Sequence, residues 1–271
     1  MKQLNLFIEL TRLKKPIGFM LLFWPCVWGL TLAYDFSNDL NNYFFYLSLF
    51  FLGSVLMRSA GCIVNDISDK EFDKKVERTK NRPIASNKVS IQLAIFYTTI
   101  LCALAFLILI NFNKLTIILA LCSMPLAFTY PLMKRFTYWP QLFLGITFNY
   151  GLILGWICIK NQLDVVAILL YFGAIFWTLG FDTIYGFQDI KDDEIIGIKS
   201  TSIKFKKKPK LFLFLCYLIF ISSLIIATQL IFFQIYKLDF KNPKNCLQIF
   251  KSNNFLGLLV FFNILIGKLS I

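Results

Sequence analysis

No histidine occurs anywhere in this 271-residue sequence. That removes haem ligation by imidazole and any acid–base step that depends on it. Cysteine is present, but there is no CxxC pair. Cys26, Cys62, Cys102, Cys122, Cys158 and Cys216 fall in apolar segments and Cys246 in a polar loop, so buried thiols are expected rather than a zinc centre or a disulfide framework. With imidazole gone and thiolate sites excluded, any catalytic metal should be a hard cation held by oxygen. Acidic residues are scarce, 15 against 28 Lys and Arg, which leaves a net charge of +13. An excess of that size is compatible with nucleic-acid binding. The Lys and Arg residues gather in alternate loops, however, and that distribution is the positive-inside pattern of a membrane protein. No nucleic-acid partner is expected.

Apolar residues are abundant. The chain is 58% hydrophobic, whereas soluble domains reach only about 45–50% even when Gly is counted. A single polytopic membrane domain over residues 1–271 fits better than two soluble domains. A spanning helix needs about 20 mostly apolar residues. Segments of that character run over 17–34, 43–63, 89–110, 115–131, 141–159, 163–186, 211–236 and 254–271. The first follows Lys14, Lys15 and Pro16 with no small-residue cleavage site after it, which reads as a retained helix and not a signal peptide.

Basic residues crowd the N-terminus and the loops 64–88, 132–140 and 187–210, while the alternate loops 35–42, 111–114 and 160–162 hold only Lys114 and Lys160. The N-terminus and these basic loops should therefore share the cytoplasmic side. Loop 237–253, with Lys237, Lys241, Lys244 and Lys251, breaks the alternation. Either 211–236 is a short hairpin turning near Ser222-Ser223, or it is one helix and this last basic loop lies outside. Each half of the chain, about 1–135 and 136–271, carries an apolar helix, an acidic motif and a basic loop, which hints at a pseudo-repeat.

The acidic motifs stand at the ends of apolar segments. Asn65, Asp69 and Asp73 recur every four residues, which on a continuing helix sets one amide and two carboxylates along one stripe. Asp66 lies beside them. Asp189 and Asp193 repeat the spacing about 120 residues later, with Asp182 about two turns earlier. Acids beside bilayer-spanning segments are costly unless paired or bound to cations, so they mark function. Mg²⁺ prefers oxygen ligands and commonly binds through one or two carboxylates plus substrate phosphates. Two such motifs suggest Mg²⁺ ions holding a diphosphate. Basic partners stand near: Arg58 within the apolar run Leu56-Met57-Arg58-Ser59-Ala60, Arg78, Lys80 and Arg82 after the first motif, and Lys134 and Arg135 after Tyr130-Pro131. Arginine can fork to a phosphate or carboxylate. Gly151-xxx-Gly155 reads as a helix-packing motif.

These residues resemble the UbiA superfamily of intramembrane aromatic prenyltransferases, over nearly the whole chain. The likeness rests on Lys15-Pro16-Ile17-Gly18 with Trp24-Pro25 and Trp28, and on Arg58-Ser59-Ala60-Gly61-Cys62 leading to Asn65-Asp66. It continues through Arg78 to Pro83, Tyr130 to Arg135, Asp182 to Tyr185 with Asp189 to Asp193, and Ile198-Lys199-Ser200-Thr201. Asn242-Pro243 to Asn254 fits as well. The Lys-Pro-Ile-Gly, Arg-Ser-Ala-Gly-Cys and Ile-Lys-Ser-Thr strings point to the branch acting on 4-hydroxybenzoate in ubiquinone synthesis. The resemblance implies an all-α membrane bundle of about eight or nine helices around a central cavity, with cytoplasmic cap loops.

It implies Mg²⁺ held by Asn65, Asp69, Asp73, Asp189 and Asp193, and a polyprenyl diphosphate gripped by Arg58, Arg82 and Lys134. The 4-hydroxybenzoate carboxylate is assigned to Arg135, and the ring proton to a carboxylate such as Asp66 or Asp193. It implies residence in the bilayer of a bacterial or mitochondrial inner membrane, with the active-site loops on the cytoplasmic or matrix side. The stretch between Lys204 and Asn242 is shorter than that family's by about one helix. Rival readings are an acceptor such as a naphthoate, homogentisate or haem, and a cation transporter. A transporter should carry its acids mid-helix and without the surrounding Arg and Lys, which repel a permeating cation.

Overall fold

The computed structural model describes residues 2–37, 39–222 and 237–269. In chain order the helices are α1 (Lys2–Thr11), α2 (Ile17–Ala33), α3 (Leu40–Ser68), α4 (Lys70–Asp73), α5 (Ile91–Leu109) and α6 (Lys114–Thr129). A 3₁₀ turn (Tyr130–Leu132) follows, then α7 (Met133–Phe136), α8 (Pro140–Lys160), α9 (Val165–Gly186), α10 (Ile190–Ile195), α11 (Thr201–Lys204), α12 (Pro209–Ile221) and α13 (Pro243–Leu269). No strand occurs among the described residues. Among the described residues five segments are long and apolar enough to cross a membrane: Leu40–Ser68, Ile91–Leu109, Lys114–Phe136, Pro140–Lys160 and Val165–Gly186. Helices α2 and α12 are shorter apolar helices.

Over the described residues each of the eight expected spans falls on a helix, with one difference. The polar loop expected over 237–253 is mostly helix, since α13 starts at Pro243 and not near residue 254. Its start is encoded by Asn242-Pro243: the Asn242 side chain accepts from the Lys244 N–H at 3.0 Å and the Asn245 N–H at 3.3 Å, and Pro243 fits the first helical position. A search for apolar runs misses such a polar first half, so Lys244 and Lys251 belong to a helix and not to a loop. The choice between hairpin and single helix over 211–236 falls on residues 223–236, outside the described residues.

Local chemistry sets the other starts too. Asp39, Ser90, Asn113 and Asp164 each cap a long helix with a side-chain oxygen 2.9–3.2 Å from a first-turn N–H. Packing then places the helices. Helix α8 lies against α2 so closely that a Cβ on Gly155 would fall 2.3 Å from the Cys26 carbonyl oxygen. A Cβ on Gly29 would fall 2.0 Å from that of Leu152. The Gly151-xxx-Gly155 face thus admits backbone-to-backbone contact. Trp28 and Trp177 meet at the centre with ring centroids 5.0 Å apart. Buried indole N–H groups need acceptors, and α13 supplies three of them. Trp24 donates to Asn254 at 2.9 Å, Trp177 to Asn253 at 3.1 Å, and Trp28 to the Gly257 carbonyl at 3.2 Å. The outer faces of α5 and α9 leave Phe96, Leu107, Leu169 and Phe172 exposed, as suits contact with lipid.

Candidate functional site

The first acidic arm forms where α3 gives way to α4. The expected single helix is interrupted at Asp69, whose φ is −100° and ψ 5°. The hydrogen-bond ladder nevertheless runs through: Asp69 N–H donates to the Asn65 carbonyl at 2.9 Å and Asp73 N–H to the Asp69 carbonyl at 2.8 Å. Asp66, Asp69 and Asp73 are all buried, and each has a cation. Arg82 lies 2.8 Å from Asp73 and 3.2 Å from Asp66, Arg12 pairs with Asp66, and Lys134 stands 2.5 Å from Asp69. Burial raises the Asp69 carboxyl above its usual range, against the pull of Lys134.

The second arm is a separate short helix. Helix α9 stops at Gly186 and α10 begins at Ile190, so Asp182 does not share the stripe of Asp189 and Asp193. Asp189 and Asp193 do stay in register, with the Asp193 N–H 2.9 Å from the Asp189 carbonyl. Gly197 ends α10 with φ +75°. The Ile198 N–H reaches back to the Asp193 carbonyl at 3.0 Å and the Gly197 N–H to that of Glu194 at 3.4 Å, a Schellman cap. Burial, and then the neighbouring Asp189, push the Asp193 carboxyl up to about 7.

Arg78 joins the arms. Its guanidinium forks onto Asp189, Nε to Oδ1 at 2.7 Å and Nη2 to Oδ2 at 2.5 Å, with Nη1 3.2 Å from the Tyr185 hydroxyl. The Glu77 N–H adds a 3.3 Å bond to Asp192. The loop after the first motif therefore lies on the second motif. The sequence places Arg78 among the basic partners of the first motif, but nothing in it pairs Arg78 with Asp189 or points to Arg12. No local pattern ties Arg12 to an aspartate 54 residues away.

Two predicted residues stand apart from the acids. Arg58 lies two turns deeper on α3, with the Phe148 ring 5.3 Å away. Gly18 makes room for it, since a Cβ there would meet Arg58 Nε at 2.8 Å. Arg58 forms no salt bridge among the described residues, although Tyr130 and Asp182 are close enough to interact with its charge. Arg135 is exposed and donates to the Ser68 carbonyl at 2.5 Å, capping the end of α3 beside Phe72.

Among the described residues no three of His, Cys, Asp or Glu converge into a metal ligand set, because the carboxylates are taken up by Arg and Lys. The donors still suit a hard cation. They are carboxylate and amide oxygens, and Asp69 Oδ1 is buried with no hydrogen-bond partner. An orphaned carboxylate oxygen and a carboxyl pushed up to about 7 in Asp193 are both relieved by an added positive charge.

An all-helical membrane protein with two acidic arms bridged by arginine at one end of its bundle is the class that fold and site define. The model of the UbiA prenyltransferase family matches residues 22–259, and the chain belongs to that family. It is 42% identical to "4-hydroxybenzoate polyprenyltransferase, mitochondrial" of Homo sapiens, over 99% of this chain and 76% of that protein. Its identity to the Arabidopsis thaliana protein of the same name is 39%, over 97% and 68%. Among solved structures it is similar to a UbiA homolog from Archaeoglobus fulgidus bound to GPP and Mg²⁺, with TM-score 0.69, 17% identity, and 96% and 99% of the two chains covered. An apo UbiA homolog from Aeropyrum pernix K1 gives TM-score 0.65 and 22% identity, with 93% of each chain covered. At these identities the structures speak for the fold.

Proposed function

We propose that the protein transfers a polyprenyl group from its diphosphate to 4-hydroxybenzoate, at the ring carbon ortho to the hydroxyl. The observation that carries this reading is the Arg78 bridge, which gathers both acidic motifs, Arg82 and Lys134 into one cluster at the end of a membrane bundle. The names of the relatives support the acceptor, and an Archaeoglobus homolog binding GPP and Mg²⁺ supports the diphosphate and the ion.

Asn65, Asp69 and Asp73 on one arm and Asp189 and Asp193 on the other would hold Mg²⁺. A bound ion there would supply positive charge to offset that of the diphosphate leaving group. Arg78, Arg82 and Lys134 turn from their carboxylates to the diphosphate oxygens and stabilise the same negative charge. The bond between the prenyl C1 and oxygen breaks, and the electron pair leaves with the diphosphate. The ring carbon ortho to the hydroxyl gives its electrons to C1, and the proton on that carbon is then lost.

Asp193 is the better acceptor for that proton, since no salt bridge holds it among the described residues. Asp66 is held as a buried counter-ion between Arg12 and Arg82. Arg58, inside the bundle and without a salt bridge, suits the benzoate carboxylate better than Arg135, which is exposed and already bonded to Ser68. On this reading the single domain contributes one arm from each half, 1–135 and 136–271, with the site on the cytoplasmic or matrix side.

Membranes containing the protein should join a polyprenyl diphosphate to 4-hydroxybenzoate only when Mg²⁺ is present. Asp69→Ala and Asp189→Ala should each lower the rate by at least about a hundredfold. Transfer that survives both substitutions, or that proceeds equally in EDTA, overturns the reading.

A further inference from the structure

The second acidic arm is the tip of an excursion. The chain leaves α9 after Gly186 and returns at α11, and Asp189, Asp192 and Asp193 lie between. Its base is tied by buried polar side chains. The Thr183 and Thr201 hydroxyls are 2.6 Å apart. Thr183 donates its one proton to the Leu179 carbonyl at 2.6 Å, so the Thr201 hydroxyl is the donor to Thr183. Ser202 Oγ donates to the Thr183 carbonyl at 2.8 Å, and Gln141 of α8 accepts from the Thr201 N–H at 3.0 Å. All four residues are buried. Gly186 passes so close that a Cβ there would stand 2.4 Å from Ser202 Oγ. Farther out, the Lys199 N–H donates to the Lys134 carbonyl at 2.9 Å, and Lys134 is the partner of Asp69.

Buried hydroxyls and amides are costly unless satisfied, and a satisfied network of them admits one relative placement of the parts it joins. Here the parts are α8, α9 and α11, where the excursion returns. We propose that Thr183, Thr201, Ser202 and Gln141 form a positioning clasp that sets the reach of Asp189 and Asp193 toward the first arm. The clasp thereby sets the affinity of the site for Mg²⁺ and diphosphate. This rests on the Mg²⁺–diphosphate reading above. None of the four is a catalytic residue; each acts through the aspartates. The clasp also gives the Ile-Lys-Ser-Thr string a physical role, because Ser200 caps α11, Lys199 ties the tip to α7, and Thr201 locks the base.

The test is calorimetric titration of the purified full chain in detergent with Mg²⁺ plus inorganic pyrophosphate, alongside the melting temperature without metal. Thr201→Val and Ser202→Ala should each bind about tenfold more weakly, the usual cost of removing support behind a metal ligand. Thr201→Ser, which keeps the hydroxyl, should bind like the wild type. Wild-type affinity in both Thr201→Val and Ser202→Ala overturns the clasp. So does a Thr201→Ser loss equal to that of Thr201→Val, since the methyl and not the hydroxyl would then matter. If Thr201→Val does not fold, Ser202→Ala decides by the same measure. A wild-type chain that binds no Mg²⁺–pyrophosphate overturns the underlying reading of the site and the clasp with it.

Discussion

Arg58 and Arg135 show how much a charged residue's surroundings decide at the residue scale. Both are arginines near acidic motifs, and sequence alone assigns the benzoate carboxylate to Arg135. Arg135 is solvent-exposed and bonded to the Ser68 carbonyl. Arg58 is enclosed by Phe148 and the Gly18 backbone. An enclosed guanidinium gains far more from an incoming anion than an exposed one, whose pairing is screened by water. Arg58→Ala should therefore raise the KM for 4-hydroxybenzoate by about thirtyfold or more, in keeping with a lost charged hydrogen bond of about 2 kcal/mol. Arg135→Ala should leave that KM within about twofold. Steady-state kinetics with the diphosphate held saturating measures both.

The element scale turns on close approach between helices. Gly155 has no room for a side chain: a Cβ would sit 2.3 Å from the Cys26 carbonyl oxygen and 2.7 Å from the Leu30 nitrogen. Gly155→Leu should push α8 off α2 and destabilise the protein by at least about 1–3 kcal/mol, the usual range for overpacking. Gly53 lies in α3 with nothing within 4 Å of where a Cβ would stand, so Gly53→Ala should stabilise the protein by about 0.5–1 kcal/mol. Melting curves in one detergent compare the two. The GxxxG spacing was legible in the sequence because it needs only helical periodicity. The start of α13 was not legible from apolar runs, since its first half is polar and its signal is the Asn242-Pro243 cap.

At the scale of the whole molecule, the two acidic arms lie far apart in sequence and meet through the Arg78–Asp189 ion pair and the Glu77 N–H bond to Asp192. Arg78 crosses 111 residues to reach Asp189, and Lys134 crosses 65 to reach Asp69. A ligand that bridges both arms should stabilise the entire bundle, because it binds the folded state alone. At a hundred times its dissociation constant, Mg²⁺–pyrophosphate should add about 2.7 kcal/mol of stability, seen as a higher melting temperature in detergent. Asp69→Ala should abolish the rise. Mg²⁺ alone should give a smaller shift, since the carboxylates already have Arg and Lys as counter-ions.

Composition and periodicity by themselves determined the membrane class, the long apolar helices and the two acidic motifs. Those features are local, set by side-chain polarity over one or two helical turns, and so they are written in consecutive residues. Which cation answers each carboxylate was decided only by tertiary structure. Arg12 on Asp66, Arg78 on Asp189, Arg58 over Phe148 and the Thr183–Thr201 bond each join segments that no local rule relates. The physical reason is that electrostatic pairing falls off over a few ångströms of space. Separation along the chain says little about that distance until the helices have packed.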